Sequence, residues 1–314
     1  MNLQPRCYQG DNDLGRMLAL LQAGRAAQVP SYYIHTGDLL WWLYYPPFGV
    51  SWWENIYLWD DPTGDPLLGW ALLEPTGESL DVYVQPELYG SPQAEAMLAW
   101  ACAELERKAR TARRSETATY WVIPEDSMRI RWLEIHGYRQ TSTSPALARP
   151  LKDPIPDVPL PAGFQARPCR GLIEVEQRAL AQYGAFDSQV SFEQYIERFE
   201  RFMRSPAYDP EGDLVIAAPD GRIAAFCITW TDSRNRVGLF EPVGTHPDFQ
   251  RQGFGRVIML AGLRRLQSHG MREAIITTGS GNAGALRLYE ALGFRQYNTF
   301  CLYTKKLVPP AGGS

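Results

Sequence analysis

The second half of the chain alternates between short apolar runs and longer stretches that begin or end at helix-capping residues. Short apolar runs between turn residues are typical of strands, and longer capped stretches are typical of helices. The predicted strands are Phe164–Arg167, Asp213–Ala218, Ile223–Trp230, Val237–Thr245, Ala274–Thr278 and Phe294–Thr304. The predicted helices are Leu172–Tyr183, Ser191–Met203, 254–269 and Asn282–Leu292. This mixture of elements predicts an α/β (α+β) domain.

The first half repeats this order of elements more weakly. Its predicted strands are Asn55–Trp59, Leu67–Leu73, Leu80–Val84 and Thr119–Ile123, and its predicted helices are Gln93–Lys108 and Met128–His136. Between the halves, residues 151–162 contain four prolines, which can continue neither a helix nor a central strand. We therefore expect one domain over residues 1–150, a semi-rigid linker over 151–162 and a second domain over 163–314.

The composition is that of an ordinary globular protein, with 45% hydrophobic and 21% charged residues. A net charge of −4 gives no reason to expect nucleic-acid binding. No apolar run reaches the roughly 20 residues of a membrane span. The five cysteines are scattered and form no C-x-x-C pair, so we expect reduced thiols, no metal site and a cytoplasmic protein. Nothing in the sequence specifies an oligomeric state.

A glycine-containing loop follows the predicted strand Val237–Thr245 and fits the pattern Q-x-x-G-x-G. Such a loop can direct several backbone N–H groups and a helix N-terminus toward one anion, and its glycines let a phosphate approach the backbone. The residues predicted to bind this anion are Gln250, Arg251, Gln252, Gly253, Phe254, Gly255 and Arg256. Within this loop there is neither G-x-G-x-x-G nor G-K-[ST], which argues against a dinucleotide fingerprint and a P-loop here. A turn that only caps a helix is the alternative.

About 25 residues after this loop, the chain fits N-x-x-A-x-x-x-Y-x-x-x-G-F, with Asn282, Ala285, Tyr289, Gly293 and Phe294 at the required spacing. With both motifs in this order, residues 160–306 resemble the GNAT superfamily of acetyl-CoA-dependent N-acetyltransferases. The resemblance implies acetyl-CoA, or another acyl-CoA, as cofactor, bound in part at Asn282. It also implies a mixed, mostly antiparallel twisted sheet flanked by helices.

The first half resembles a degenerate copy of the second, which predicts two tandem GNAT-like domains. Val84-Gln85-Pro86 matches Thr245-His246-Pro247, and residues 131–138 match 287–294. No G-x-G follows Pro86, and Leu133 replaces the tyrosine at 289. We therefore expect this half to be structural or to shape the substrate site. A second coenzyme A site is the alternative.

The resemblance also implies roles for residues at the end of the predicted strand Val237–Thr245. Val243, Gly244 and Thr245 fall where family members bind the pantetheine arm through the backbone. Pro242 cannot donate a ladder hydrogen bond, so the strand is expected to be unpaired or bulged there. Family members open a gap between two strands at this point, and the thioester lies in it.

Two side chains are the predicted catalytic residues. Tyr289 is the predicted proton donor to the CoA thiolate, since a phenol, with a pKa of about 10 against about 8.5 for a thiol, is a reasonable hydrogen-bond donor to that sulfur. A tyrosine packed on the sheet with its hydroxyl satisfied is the alternative. Glu241 follows the apolar run Gly238–Phe240, where burial should raise its pKa and suit it to act as a base, directly or through water. Binding of a substrate ammonium group and a surface salt bridge are the alternatives for Glu241.

The predicted function is transfer of an acetyl group from the CoA thioester to a primary amine of a small molecule. Two alternatives stay open, a non-catalytic acyl-CoA-binding or regulatory module and an aminoacyltransferase that uses aminoacyl-tRNA. The aromatic cluster Trp41–Phe48 is interpreted either as packing or as an aromatic wall for the substrate. The predicted helix Ser191–Met203 is rich in glutamate, which fits either a cationic substrate or an exposed face.

Overall fold

The computed structural model describes residues 4–27, 33–64 and 66–307. The chain folds into two compact units, and neither is continuous in sequence. Unit 1 consists of Met1–Ile34, Gly49–Pro145 and Asn298–Ser314, and unit 2 consists of His35–Phe48 and Ala146–Tyr297. Within the described ranges, no helix combines the length and the apolar character that a membrane crossing requires.

Unit 1 is a sheet with helices packed on it. Its elements are β1 (Arg6–Cys7), α1 (Asp11–Ala27), β2 (Ile56–Asp60), β3 (Leu67–Leu73), β4 (Ser79–Val84), α3 (Pro92–Thr111), β5 (Glu116–Val122), α4 (Ser127–Ile135), the first part of β6 (Arg139–Pro150) and the last part of β12 (Arg295–Lys306). The strand order β1-β2-β3-β4-β5-β12 is antiparallel except for the parallel pair β4–β5. Helix α3 buries Met97, Ala101 and Leu105, one on each successive turn, against this sheet.

Unit 2 has the same kind of sheet. Its elements are α2 (Thr36–Tyr44), the last part of β6, β7 (Gln165–Pro168), α5 (Val175–Ala185), α6 (Phe192–Met203), β8 (Asp213–Ala217), β9 (Ile223–Asp232), β10 (Val237–Thr245), α7 (Phe254–Ser268), β11 (Glu273–Thr277) and α8 (Ala283–Ala291). The strand order is β6-β11-β10-β9-β8-β7, and the pair β10–β11 is parallel while the other pairs are antiparallel. The mixed, mostly antiparallel sheets expected from the sequence are therefore confirmed.

The two faces of the unit 2 sheet pack against different helices. Along β9, Cys227 packs in a cluster with residues of α7, and its neighbours Phe226 and Ile228 pack in a cluster with residues of α2, α5 and α6. This alternation follows the two-residue period of a strand. The sheet thus separates a side formed by α7 and α8 from a side formed by α2, α5 and α6.

The structure differs from the expected boundaries of 1–150 and 163–314. Residues Ala146–Pro150 of β6 pair with β11 in unit 2, and Cys301–Lys306 of β12 pair with β5 in unit 1. Helix α2 also belongs to unit 2, although it lies in the first half of the sequence. The segment 151–162 contains no helix or strand, as its prolines suggest.

Four elements were not predicted, namely β1, α1, α2 and β6. The first strand has only two residues, and β6 begins with the polar run Arg139–Ser144 and contains Pro145, so neither shows the apolar signal of a buried strand. The predicted helix Leu172–Tyr183 begins instead as a 3₁₀ turn over Gly171–Glu174 and becomes α-helical at Val175.

Candidate active site

Strands β10 and β11 are paired only at their beginnings. In the described residues their parallel pairing ends at Leu239, while β11 continues along β6 to Thr277. On its other side β10 follows β9 to Thr245, with a register shift between Phe240 and Val243. The interruption predicted from Pro242 is present. It leaves one edge of residues 240–245 free of ladder bonds from β11.

Glu241 lies at this interruption. Its backbone carbonyl accepts a hydrogen bond from Trp230 Nε1 at 2.7 Å, which fixes the backbone here. Its half-buried carboxylate has no hydrogen-bond or ion-pair partner among the described residues, so the salt-bridge alternative finds no support there. Burial, helped by the nearby charge of Asp38, raises the pKa of Glu241 to about 8. The expected rise is confirmed, and it follows from the penalty that a poorly hydrated site places on the charged form.

Asp38 reaches this site because α2 is capped and anchored locally. Its carboxylate accepts from the His35 backbone N–H at 2.7 Å, and His35 Nδ1 accepts from the Gly37 N–H at 2.9 Å, which completes a reciprocal N-cap. Since Nδ1 is the acceptor, Nε2 carries the proton and donates to the Val237 carbonyl at 3.2 Å. The cap therefore ties α2 to the first residue of β10.

A cleft of about 320 Å³ opens beside Glu241. Its lining residues come from α2 and the residue after it, α5 and the segment after it, α6 and β10: Trp41, Tyr45, Gln182, Phe186, Ser188, Tyr195, Arg198, Glu241 and Pro242. This volume is near the lower end for small-molecule sites. The Trp41 and Tyr45 rings stack with their centroids 4.2 Å apart. These two residues of the aromatic cluster both pack and line the cleft, so the two interpretations of the cluster are compatible.

The glutamates of α6 do not line this cleft. Glu197 and Glu200 instead lie beside Arg201 and Arg204, at 3.6 Å and 2.6 Å, as exposed pairs one turn apart. The exposed-face interpretation of this helix is therefore the one that fits the structure. The charged side chains that face the cleft are Glu241 and Arg198.

A fully buried ion pair supports the wall of the cleft. Arg178 Nε donates to Asp213 Oδ1 at 2.8 Å, and neither side chain is exposed to solvent. Arg178 Nη1 also donates to Gln182 Oε1 at 3.1 Å, and Gln182 Nε2 donates to the Tyr45 hydroxyl at 3.4 Å. A continuous series of hydrogen bonds thus joins β8, α5 and the end of α2. Its last two members line the cleft.

Tyr289 lies on α8, on the side of the sheet that packs against α7 and α8. Its side chain is buried, and its hydroxyl has no hydrogen-bond partner among the described residues. Burial, together with the charges of Glu241 and Cys227, raises the pKa of Tyr289 further above its ordinary value. The hydroxyl therefore stays protonated over the whole working range of an enzyme and is a free donor close enough to feel Glu241.

The loop between β10 and α7 has the conformation of an anion cradle. Arg251 and Gly253 both have a positive φ, of 59° and 86°. No acceptor is found, in the described part of the chain, for the N–H groups of residues 251–255. A Cβ placed on Gly253 would have no protein atom within 4 Å, so open space lies in front of the loop. Free amides that converge on open space at a helix N-terminus suit a phosphate.

Not every residue of the loop contributes as expected. The Arg256 N–H is already used, since it donates to the Gly253 carbonyl at 3.0 Å in the first turn of α7, so only its exposed side chain is available. The ring of Phe254 is buried in the core, which leaves only its N–H. The side-chain amides of Gln250 and Gln252 donate to the backbone carbonyls of Thr245 and Asp248, at 3.3 and 3.1 Å. These two bonds brace the loop and use none of its backbone N–H groups.

The other predicted cofactor residues lie next to this loop or on α8. Val243, Gly244 and Thr245 pair with β9 through one edge, and their other edge is not paired with β11 in the described chain. Gly244 is glycine for a packing reason, since a Cβ there would lie 2.4 Å from Phe226. Asn282 is the N-cap of α8, the helix predicted to begin there, and its Oδ1 accepts from the Ala285 N–H at 3.1 Å.

Sequence reasoning missed two residues that face or influence the site. Asp38 was not considered because it lies about 200 residues from Glu241 in sequence. Arg198 was hidden among the alternating arginines and glutamates of α6. The run Trp41–Tyr45 did carry a signal for burial, because it contains more aromatic residues than a short exposed helix would.

Comparison with known proteins gives one consistent result. Residues 174–294 match the model of the Acetyltransferase (GNAT) family. A mycothiol acetyltransferase of Thermobispora bispora is 27% identical over 249 residues, which are 77% of this chain and 81% of the relative. A mycothiol acetyltransferase of Thermomonospora curvata is 34% identical over 168 residues, or 50% of this chain and 53% of the relative.

Solved structures of the same fold span nearly the whole chain. A tandem GNAT protein from the clavulanic acid biosynthesis pathway superimposes with a TM-score of 0.70 at 17% identity and covers 98% of both chains. At this identity the likeness concerns the fold alone. It agrees with the tandem arrangement predicted from the sequence.

Proposed function

We propose that this chain is an acetyl-CoA-dependent N-acetyltransferase of a small-molecule amine, with Glu241 as its general base and Tyr289 as its general acid. The match of residues 174–294 to the Acetyltransferase (GNAT) family model and the mycothiol acetyltransferase relatives support this proposal. The observation that carries this proposal is the half-buried Glu241 carboxylate, with its raised pKa, at the point where β10 leaves β11. A base with a pKa near the working pH is the most effective one.

Each residue has one proton to move. Glu241, directly or through a water molecule, takes a proton from the ammonium form of the acceptor, which frees the nitrogen lone pair for attack on the thioester carbonyl carbon. A new C–N bond forms, the nitrogen releases its second proton to solvent, and the C–S bond breaks. The thiolate that leaves takes a proton from the Tyr289 hydroxyl, which has no competing partner in the described residues. Tyrosine regains its proton from solvent.

The backbone positions the acetyl donor. The free N–H groups of residues 251–255 suit the diphosphate of coenzyme A, and the side chains of Arg251 and Arg256 are exposed beside them. The unpaired edge of Val243–Thr245 can hydrogen-bond the amide groups of the pantetheine arm in the manner of an added strand. This arrangement leads the thioester toward Glu241.

Acetyl transfer is tested by release of free thiol from acetyl-CoA across a panel of primary amines. The names of the relatives supply one acceptor for the panel, deacetylated mycothiol. Thermal melting with and without acetyl-CoA measures donor binding separately. If acetyl-CoA at millimolar concentration leaves the melting temperature unchanged, the proposed donor site is wrong. If it raises the melting temperature but no amine releases thiol, the proposed catalytic roles are wrong.

Replacing Tyr289 with phenylalanine should lower kcat by about 100-fold, the lower end of the range for loss of a general acid. The ring and its packing against Phe294 remain, so stability should change little. Rates of thiol release and product formation measure the effect. Tyr303→Phe is the matched control because Tyr303 is equally buried but lies in unit 1. Equal losses in the two variants would remove the assigned role of Tyr289.

Replacing Gly253 with alanine should weaken acetyl-CoA binding by about tenfold or more, because the methyl group enters the space assigned to the diphosphate. The positive φ should also destabilise the fold by about 1–2 kcal/mol. Gly221→Ala is the matched control, since Gly221 has the same φ of 86° and the same open surroundings but lies in the β8–β9 hairpin. Calorimetry measures the dissociation constant. A similar affinity in both variants would contradict the proposed cradle.

A further inference from the structure

Arg198 is held in a fixed position on the wall of the cleft. Its guanidinium carbon lies 3.5 Å from the centroid of the Tyr45 ring, and its Nη2 donates to the Tyr45 carbonyl at 3.0 Å. Stacking and a hydrogen bond together restrict the side chain to one orientation. The cation therefore faces the same cleft as Glu241 in a preorganised position.

The charge of Arg198 is not balanced by a carboxylate of the described chain. Its neighbours on α6 behave differently, since Arg201 and Arg204 each lie beside a glutamate of the same helix. The Nε atom of Arg198 is buried and has no hydrogen-bond partner in the part of the chain that the structure describes. Burial also lowers the pKa of Arg198. A guanidinium that is poorly hydrated and unpaired carries a free-energy cost that an anion would offset.

We propose that Arg198 binds a carboxylate of the acceptor, so that the preferred substrate is a small amine that also carries a carboxylate group. This inference rests on the proposed function, in which Glu241 takes the proton from the amine. The planar guanidinium fork matches a carboxylate. With one cation in the cleft, a monoanion is balanced and a phosphate dianion is not. Tyr195, Gln182 and Ser188 add only neutral polar groups.

The two charges divide the recognition of the acceptor between them. Glu241 faces the reacting nitrogen, and Arg198 selects the group at the other end of the molecule. The cleft volume of about 320 Å³ limits this molecule to a small amino acid or an analogue of similar size. The stacked rings of Trp41 and Tyr45 can accept its apolar part.

The test compares amino acids with their own primary amides as acceptors, because the amide keeps the size and removes the negative charge. The panel contains ω-amino carboxylates of increasing length and aromatic α-amino acids, with deacetylated mycothiol beside them. We expect the wild-type protein to prefer the carboxylates by about 10-fold or more in kcat/KM, the size expected for one charged hydrogen bond. In Arg198→Gln this preference should disappear, because the charge that distinguishes an acid from its amide is gone.

Two further variants keep the test interpretable. Arg198→Lys retains the positive charge but loses the planar fork, so it should keep part of the preference for carboxylates. Such a result would also show that the cleft still folds when residue 198 is replaced. Arg201→Gln removes an arginine from the exposed face of the same helix and should leave the preference unchanged. Circular dichroism and thermal melting check the fold of each variant.

The outcomes separate this inference from the proposed function. Equal turnover of acids and amides by the wild-type protein overturns the role of Arg198 and leaves acetyl transfer intact. A preference that persists in Arg198→Gln does the same. The role of Arg198 is also overturned if deacetylated mycothiol is the fastest acceptor and Arg198→Gln does not change its turnover. If acetyl-CoA still raises the melting temperature but no amine releases thiol, the catalytic roles proposed for Glu241 and Tyr289 fail, and the inference that rests on them fails too.

Discussion

Replacing Glu241 with glutamine is expected to lower kcat/KM for amine acetylation by about 10²- to 10⁴-fold, the range for loss of a general acid–base residue. Glutamine keeps the size of the side chain but cannot accept a proton from an ammonium group. Binding of acetyl-CoA should be unchanged, because the carboxylate lies outside the proposed phosphate cradle. Steady-state kinetics of thiol release measure the first quantity, and calorimetry measures the second.

The pH dependence gives a sharper version of this test. Since the base must be deprotonated, kcat/KM of the wild-type protein should rise with pH and level off above about pH 8. Asp38→Asn removes a negative charge near Glu241 and should shift this limb to lower pH, while asparagine can still accept the capping hydrogen bond from His35. Glu241→Gln should lack the limb. A limb that survives unchanged in Glu241→Gln would assign the base to another group.

The same shift has a consequence for stability. A carboxyl group whose pKa is higher in the folded than in the unfolded state favours folding while it is protonated. The free energy of unfolding should therefore lose this contribution as the pH rises from about 4.5 toward 8. The free energy of unfolding of Glu241→Gln, taken as a difference from that of the wild type, should be more favourable at pH 8 than at pH 5. Urea unfolding of both proteins at the two pH values measures this difference.

Replacing Asp213 with alanine is expected to reduce the free energy of unfolding by about 3–5 kcal/mol, because it leaves the fully buried Arg178 without its counter-charge. The change also frees the guanidinium that holds Gln182, so the cleft should lose order. Urea unfolding at constant pH measures the stability, and thiol release measures the effect on the cleft.

Two comparisons test the reason for this loss. Combining Asp213→Leu with Arg178→Met removes both charges and should restore much of the stability. Asp220→Ala removes one member of the exposed pair with Arg222 and should lower the free energy of unfolding far less than Asp213→Ala does. If Asp213→Ala costs no more than Asp220→Ala, the buried pair does not stabilise the fold in the way that its burial implies.

The parts of the site that lie close together in sequence could be predicted. Residues 237–245 form a strand with the predicted bounds, and Asn282 caps its helix. These features depend on local rules, since proline removes a donor and asparagine satisfies a free N–H group. The raised pKa of Glu241 also follows from its local sequence, because it directly follows an apolar run.

The position of Trp41 and Tyr45 beside Glu241 could not be predicted, for a physical reason. Helix α2 reaches Glu241 only because Trp41 and Tyr45 pack among residues of α6 and β9. No local pattern in the sequence specifies which distant surface an apolar helix will cover. The role proposed for Arg198 depends on its lacking a carboxylate partner among the described residues, and that is visible only in three dimensions.

Each compact unit contains a strand segment from the other half of the sequence, namely Ala146–Pro150 of β6 in unit 2 and Cys301–Lys306 of β12 in unit 1. The two halves therefore depend on each other. Separating them at the proline-rich segment would leave β11 with an unpaired edge, because β6 is encoded in the first half. It would also remove Trp41 and Tyr45 from the acceptor cleft. Because α2 is encoded in the first half, substitutions there can alter which amine the second half acetylates. The two halves of the sequence therefore cannot work as separable modules.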